Sequence, residues 1–322
     1  MTSGRSSKAA RAPKYILPTR FADYLSYHQG YCLLLDIDGT LAEFTLNPKD
    51  SIIPPSTLRL LQTIQHHGVK IAAVTGRSLA EAKQMLSPLR LPIAATHGLE
   101  IAFDEDNLGN LQNSNIGDDS SNQPSNVAVD LIELAAIRQA IYQSCLPYDD
   151  FIIENKPYSV ALHYRQNPAL ADIAQNIVST VANNYDHWLL KQGKYVWEIA
   201  PKGADKGRAI LTLLQNMQSL DALCPIFIGD DITDESGFMA VQGDNHLKDI
   251  NTAKKSPIKG MGIKVENNCA TPTAAHYYVN DIDEVTALLA SFLAFCQTRS
   301  AVLPKLADTG DMMINQPMRP VI

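Results

Sequence analysis

Apolar positions along this chain fall into two textures. In the first, short unbroken apolar runs alternate with stretches of helical spacing. Residues 31–37 (YCLLLDI) form such a run, suited to a strand buried on both faces of a parallel sheet. Leu58, Leu61 and Ile64 follow at helical spacing, with Ser56 as the expected N-cap and Gly68 as the stop. Residues 69–75 (VKIAAVT) read as a second buried strand. Ser78 and Glu81 have the spacing of a capping box, which predicts a helix to about Leu89. Residues 91–96 (LPIAAT) read as a third strand. This alternation predicts a parallel α/β sheet.

The second texture begins beyond a stretch rich in Asp, Asn, Ser and Gly. Residues 104–126 are too polar to pack and read as a solvated loop. Residues 129–146 and 169–184 read as helices, and 158–165 and 194–199 alternate strictly. Val160, Leu162 and Tyr164 lie on one strand face, with Ala161, His163 and Arg165 on the other. Tyr195, Trp197 and Ile199 likewise oppose Lys194, Val196 and Glu198. The first texture returns after Pro201, with a helix at 207–218, strands at 225–229 and 261–265, and a closing helix at 283–296. The expected organisation is a discontinuous core (21–103 and 201–302) carrying an inserted α/β cap (127–200). A flexible basic tail (1–20) and a mobile tail (303–322) complete it.

Length and charge narrow the function classes. A chain of 322 residues suggests about two domains. A net charge of −7 repels nucleic acid and anionic membrane, which excludes both as bulk partners. The same charge repels a phosphorylated substrate, so a site for one needs concentrated cations. The cysteines Cys32, Cys145, Cys224, Cys269 and Cys296 are odd in number and form no CxxC pair, which argues against zinc and against a disulfide framework. Buried thiols in the reducing cytoplasm are the expectation. No apolar run reaches the roughly 20 residues that span a bilayer. Arg5, Lys8, Arg11, Lys14 and Arg20 precede no apolar segment of the secretory kind, although an organelle transit peptide shares that composition.

Candidate chemistry sits at the ends of the buried runs. Asp36-Ile37-Asp38-Gly39-Thr40 follows the first strand, where ligands bind in open α/β sheets. Asp and Gly are also ordinary turn residues. Thr75-Gly76-Arg77 ends the second strand, offering a hydroxyl and free amides to a phosphate oxygen, or making a plain strand–helix turn. Lys206 opens the helix after the cap; alone it reads as a surface lysine. In Gly229-Asp230-Asp231-Ile232-Thr233-Asp234-Glu235, four acids crowd the end of another buried strand, and a bound cation is the economical explanation.

Taken in order, these segments resemble the four motifs of the haloacid dehalogenase superfamily, over about residues 30–290. The resemblance implies a Rossmann-like core with Asp36 as nucleophile and Asp38 as general acid/base. Thr75 and Lys206 would stabilise the transferring phosphoryl group. It also implies Mg²⁺, held by Asp36, the Asp38 carbonyl and Asp230, with Asp231 and Asp234 as further candidates. His97-Gly98-Leu99-Glu100, Glu154-Asn155-Lys156, His163-Tyr164-Arg165 and Glu198-Ile199-Ala200-Pro201 are similar to segments of the trehalose-6-phosphate phosphatases. That likeness implies hydrolysis of trehalose 6-phosphate through an aspartyl-phosphate. It assigns Gly76, Arg77, His97, Glu100, Lys156, His163, Arg165 and Glu198 to the sugar-phosphate substrate. The 104–126 loop is longer than the family's usual link, and Val265-Glu266-Asn267-Asn268 lacks a glycine often found there. A phosphatase for sucrose phosphate or another glycosyl phosphate, or a hexose phosphomutase, remains an alternative. A non-enzymatic sugar sensor should have lost catalytic residues, and all are present.

Overall fold

The computed structural model of the protein describes residues 12–27, 29–45, 47–103, 122–124, 129–217, 223–243 and 259–307. In chain order, β1 (Lys14–Tyr15) and a 3-10 helix at Pro18–Tyr24 lead into β2 (Gly30–Leu35), α1 (Pro55–His66) and β3 (Lys70–Val74). Next come α2 (Leu79–Leu86), β4 (Ile93–Ala95), β5 (Glu100–Ala102) and β6 (Asn122–Pro124). A second block holds α3 (Leu131–Cys145), β7 (Ile152–Lys156), β8 (Ser159–His163), α4 (Ala171–Ala182), β9 (Trp188–Gly193) and β10 (Val196–Pro201). The chain returns through α5 (Lys206–Asn216), β11 (Leu223–Gly229), α6 (Glu235–Gln242), β12 (Met261–Val265), β13 (Tyr277–Val279) and α7 (Ile282–Ala307).

The main sheet has the order β1-β13-β12-β11-β2-β3-β4-β5-β6. Its pairs are parallel from β1 to β4 and antiparallel for β4–β5 and β5–β6. Strand β2 shows why an unbroken apolar run was needed. Leu33 and Leu35 enter one core with Ile71, Leu288 and Phe292. Cys32 and Leu34 enter the other with Val74, Ile210, Phe227 and Phe238. Both faces are covered by helices, as a parallel sheet requires. The expected α/β class with an inserted cap is what the chain adopts.

The block between β6 and α5 forms its own antiparallel sheet, β7-β8-β10-β9. One face packs Val160, Leu162, Tyr164, Trp197 and Ile199 against residues of α3 and α4. The other face turns His163 and Glu198 toward the main sheet's carboxyl ends, where both line the same cleft as Asp36. The strict alternation in the sequence is thus a division between cap core and cleft wall.

Several local expectations need correction. The helix α2 starts as predicted, with Ser78 accepting from the Glu81 amide and the Glu81 side chain returning to the Ser78 backbone. By contrast α1 is capped by Pro54 without a side-chain bond, and Ser56 lies inside its first turn. Proline at the first helical position removes an orphan donor and presets φ, so no serine cap is required. The basic tail expected over 1–20 is ordered from residue 12 in the described residues: β1 pairs with β13, and Ile16 and Phe21 are fully buried. Charge counting hid the apolar anchor Ile16; Phe21 falls where the core was expected to begin. Residues 1–11 lie outside the described residues. Helix α7 continues to Ala307, past the expected end at 296 and into the expected 303–322 tail. Backbone bonding propagates a helix even where side-chain periodicity fades. Residues 308–322 lie outside the described residues, as do 104–121 and 125–128 of the polar stretch. Its residues 122–124 pair with β5, because an edge strand needs backbone groups and not apolar side chains.

The Phe21 ring sits 6.2 Å from the Phe292 ring, center to center, in the core under α7. Phe21→Ala is therefore expected to lower unfolding free energy by about 3–5 kcal/mol, read by urea denaturation. An unchanged midpoint would mean that the N-terminal segment does not pack.

Candidate functional site

Three strand ends converge. Asp36 follows β2, Thr75 follows β3 and Asp230 follows β11. The Asp36 amide donates to Ile228 O at 3.0 Å, so the β2 exit is held by β11. Gly39 then turns the chain at φ +74°, and a Cβ there would lie 2.1 Å from Asp230 Oδ2. Glycine is required both by the left-handed backbone and by that close approach. Helix α5, capped by Asp205 on the Arg208 amide at 2.8 Å, presents Lys206 in its first turn. The Lys206 ammonium is 2.9 Å from Asp36 Oδ2 and 2.7 Å from Asp234 Oδ1.

Burial raises the Asp36 carboxyl well above its ordinary range; Lys206 opposes this, and Asp234 adds to it. Burial also raises Asp230, reinforced by Asp36 and Asp234. Burial disfavours the Lys206 charge, but Asp234 and Asp36 outweigh it and hold its pKa above the ordinary lysine range. One oxygen each from Asp36, Asp230 and Asp234 lies within 4.8 Å of the others. Asp230 Oδ1 is buried without a partner. Crowded hard oxygens with an orphan acceptor fit Mg²⁺. Asp234 is less open to a metal, because its second oxygen accepts from the Asp231 amide at 2.9 Å. The Asp231 carboxylate caps the following turn through Ile232 N at 2.7 Å.

Two residues expected to touch substrate have other partners. Arg77 grips both oxygens of Asp38, Nε to Oδ2 at 2.7 Å and Nη2 to Oδ1 at 2.6 Å, and also reaches Pro48 O at 2.9 Å. A planar guanidinium matches a carboxylate better than it matches scattered hydroxyls. Glu100 accepts from Thr96 Oγ1 at 2.8 Å and from Leu79 N at 3.4 Å, bracing the start of α2, and it does not line the cleft. Its position at the head of β5 turns it along the core.

The remaining expected residues form a roof. Lys156 donates to Glu198 Oε2 at 2.9 Å and to the Gly76 carbonyl at 2.8 Å. His97 Nε2 lies 3.2 Å from the same Glu198 oxygen. Burial pulls His97 down to about 4 despite Glu198, so at neutral pH a neutral imidazole donates through Nε2. Its Nδ1 is buried and unpartnered. Burial raises Glu198, but Lys156 and His97 outweigh it and hold the carboxylate well below its ordinary range. His97 sits at φ +54° after Thr96 at φ +45°, two strained residues beside the cleft. A Cβ on Gly76 would meet the His97 ring at 2.7 Å, which explains the glycine. His163 is 2.7 Å from Glu154, and Arg165 donates to Thr45 O at 2.8 Å while facing the Phe44 ring at 5.7 Å. The cleft holds about 730 Å³ including its open mouth.

Sequence reading missed Phe44, Glu154, Lys191 and Lys194, all of which line this cleft. Lys194 shares the cleft-facing side with Glu198, and its ammonium lies 4.5 Å from the Phe44 ring center. Alternation in the sequence put Lys194 on the Glu198 side, although the structure places it in the turn between β9 and β10. Lys191 needed the β9–β10 register, and Phe44 sits in a loop without periodicity.

Comparison with known proteins agrees with this geometry. Residues 34–283 match the profile of the family described as trehalose-phosphatase. The trehalose-6-phosphate phosphatase of Escherichia coli is 32% identical over 212 residues, covering 66% of this chain and 73% of that protein. A probable trehalose-phosphate phosphatase of Sinorhizobium fredii is 30% identical over 213 residues, covering 66% of this chain and 74% of that protein. Among solved structures, the C-terminal domain of C. albicans trehalose-6-phosphate phosphatase shares the fold, with a TM-score of 0.70 at 20% identity, covering 89% of this chain and 99% of that one. With a profile match that runs from β2 to the start of α7, this chain belongs to the trehalose-phosphatase family.

Proposed function

We propose that this protein hydrolyses trehalose 6-phosphate to trehalose and phosphate through a phosphorylated Asp36. The observation that carries the reading is the Asp36–Lys206 contact of 2.9 Å, at the floor of a cleft roofed by Lys156, His163 and Glu198. A nucleophile and a charge-neutralising cation thus face a wall of hydroxyl-binding groups.

Asp36 attacks phosphorus as the bond to the sugar oxygen breaks, and Asp38 gives that oxygen its proton. Water then attacks the aspartyl-phosphate, Asp38 takes the water's proton, and phosphate is released with Asp36 regenerated. Splitting the displacement in this way makes each half easier. Thr75 and Lys206 stabilise the transferring phosphoryl group. Arg77 keeps Asp38 aimed through its paired hydrogen bonds. Mg²⁺, held by Asp36, Asp230 and the Asp38 carbonyl, would supply charge neutralisation so that two anions can meet. The cap excludes water and reads the leaving group. The five cysteines are buried and free, in keeping with the reducing cytoplasm we assign to this reaction. Among the described residues no helix is long and apolar enough to cross a membrane.

Phosphate release from trehalose 6-phosphate, sucrose phosphate and glucose 6-phosphate, with and without Mg²⁺, tests the reading. Preference for either of the latter two sugars would refute the named substrate.

Asp36→Asn is expected to abolish turnover with an unchanged melting temperature. Substantial steady-state activity in that variant would sink the covalent route. Glu198→Ala or Lys156→Ala is expected to lower kcat/KM for trehalose 6-phosphate at least about tenfold, or roughly 1.4 kcal/mol. Activity on a small aryl phosphate, which does not reach the cap, should change far less. Equal losses on both substrates would remove these residues from sugar recognition.

A further inference from the structure

Lys191 was not expected at the site. It belongs to β9, and its Cα is the register partner of Glu198 on β10. Directly paired residues share a sheet face, so the Lys191 side chain points with Glu198 into the cleft, which it lines. Its surroundings differ from those of Lys206 in the cleft floor and Lys156 in the roof, two of the other three lysines that line the cleft. Lys206 contacts two carboxylates and Lys156 contacts one. Among the described residues, Lys191 has no carboxylate within ion-pair distance, and its one hydrogen-bond acceptor is the Ala204 carbonyl. An ammonium carries three donors. Two N–H groups are therefore left without a protein acceptor, on a half-buried side chain in the cleft wall.

Such an arrangement is costly for the empty protein. Burial pulls the Lys191 pKa down to about 8; Glu198 and Asp205 resist this, while Lys206 and Lys156 add to it. Those four groups are the charges facing Lys191 from β10, the α5 cap, α5 itself and β7. A residue kept only for packing would be better served by methionine, which has no polar head to desolvate. An occupant rich in oxygen acceptors removes the penalty. The phosphoryl end of the substrate belongs to Asp36 and Lys206 in the core. Lys191 is borne by the cap beside Glu198, on the side of the leaving group.

We propose that Lys191 is a specificity-determining residue, delivered by β9 to the sugar portion of the leaving group, where its free N–H groups bind hydroxyl and ether oxygens. The inference rests on the sugar-phosphate reading above. It assigns to this chain a contact that neither motif spacing nor the Lys156–Glu198 pair provides. Because only the ammonium donates three bonds, recognition through Lys191 requires the protonated form. Sugar discrimination, measured as the ratio of kcat/KM for trehalose 6-phosphate to that for 4-nitrophenyl phosphate, then falls as pH rises through about 8. kcat/KM reports groups of the free enzyme, so the free-protein pKa sets that midpoint.

The test compares the wild type with Lys191→Met and Lys191→Arg, on both substrates, across roughly two pH units either side of the midpoint. For Lys191→Met we expect KM for trehalose 6-phosphate to rise at least about tenfold, with kcat/KM for the aryl phosphate within about twofold and no pH-dependent fall in the ratio. Lys191→Arg retains its charge throughout the range. It should keep most of the wild-type discrimination and also lose the fall near pH 8. Melting temperatures establish that both variants are folded. An unchanged KM in Lys191→Met, equal losses on the two substrates, or a fall in the ratio that persists in both variants would overturn the proposal. Wild-type protein inactive on trehalose 6-phosphate would overturn the substrate reading, and the Lys191 inference with it.

Discussion

The site depends on one buried ammonium. Lys206 holds Asp36 and Asp234 together at a point where three carboxylates otherwise crowd within 4.8 Å. Burial alone drives Asp36 and Asp230 toward their neutral forms, and a neutral Asp36 is no nucleophile. Lys206 cannot compensate all three, and the orphaned Asp230 Oδ1 marks where the deficit remains. A divalent cation would meet that deficit. The fold serves this balance directly: β2 and β11 bring the acids together, and the first turn of α5 brings the lysine beneath them.

The cap is tied to this center by polar contacts between its strands and the core. Lys156 spans from Glu198 in the cap to the Gly76 carbonyl in the core, and Glu198 in turn meets His97. Gly76 directly follows Thr75, so the same short turn serves both the phosphoryl site and the cap. A buried pair of this kind is weak evidence for stability, since desolvation consumes much of its Coulomb energy. Its consequence is positional. In the proposed reaction, sugar contacts and phosphoryl contacts would be parts of one assembled surface, and a substrate lacking the sugar would leave buried polar groups unpaired.

Legibility in the sequence followed periodicity and steric need. The runs at 31–37 and 69–75 could be read because a strand covered on both faces admits no polar break. Cap strands could be read with their faces assigned, because Val160 and Leu162 alternate with Ala161 and His163 toward different surroundings. What escaped had no period to betray it. Ile16 is a single apolar anchor between Lys14 and Arg20, and it joins a core cluster with α7 residues far along the chain. Arg77 lines the cleft while bound to Asp38, and Glu100 lies outside it bracing α2; neither partner could be read from the sequence, because a motif gives residue types and not side-chain direction. Lys191 was invisible for another reason: its meaning lies in a cross-strand register, which a hairpin fixes and a linear pattern does not.

Arg77 also gives two neighbouring acids different surroundings, which suits the different duties proposed for them. Asp36 and Asp38 lie on one short turn, so sequence alone gives no reason for them to differ. The structure separates them by partner: Asp36 faces a buried lysine and the carboxylate cluster, while Asp38 is gripped on both oxygens by a guanidinium anchored to Pro48 O. The first arrangement suits the proposed attack, with a carboxylate beside charge compensation. The second fixes the plane of a carboxyl group while leaving it at the partly exposed cleft wall, where a leaving oxygen and then a water can arrive. In the proposed reaction Asp38 meets two different oxygens from one position in successive steps, and the bidentate Arg77 clamp maintains that position.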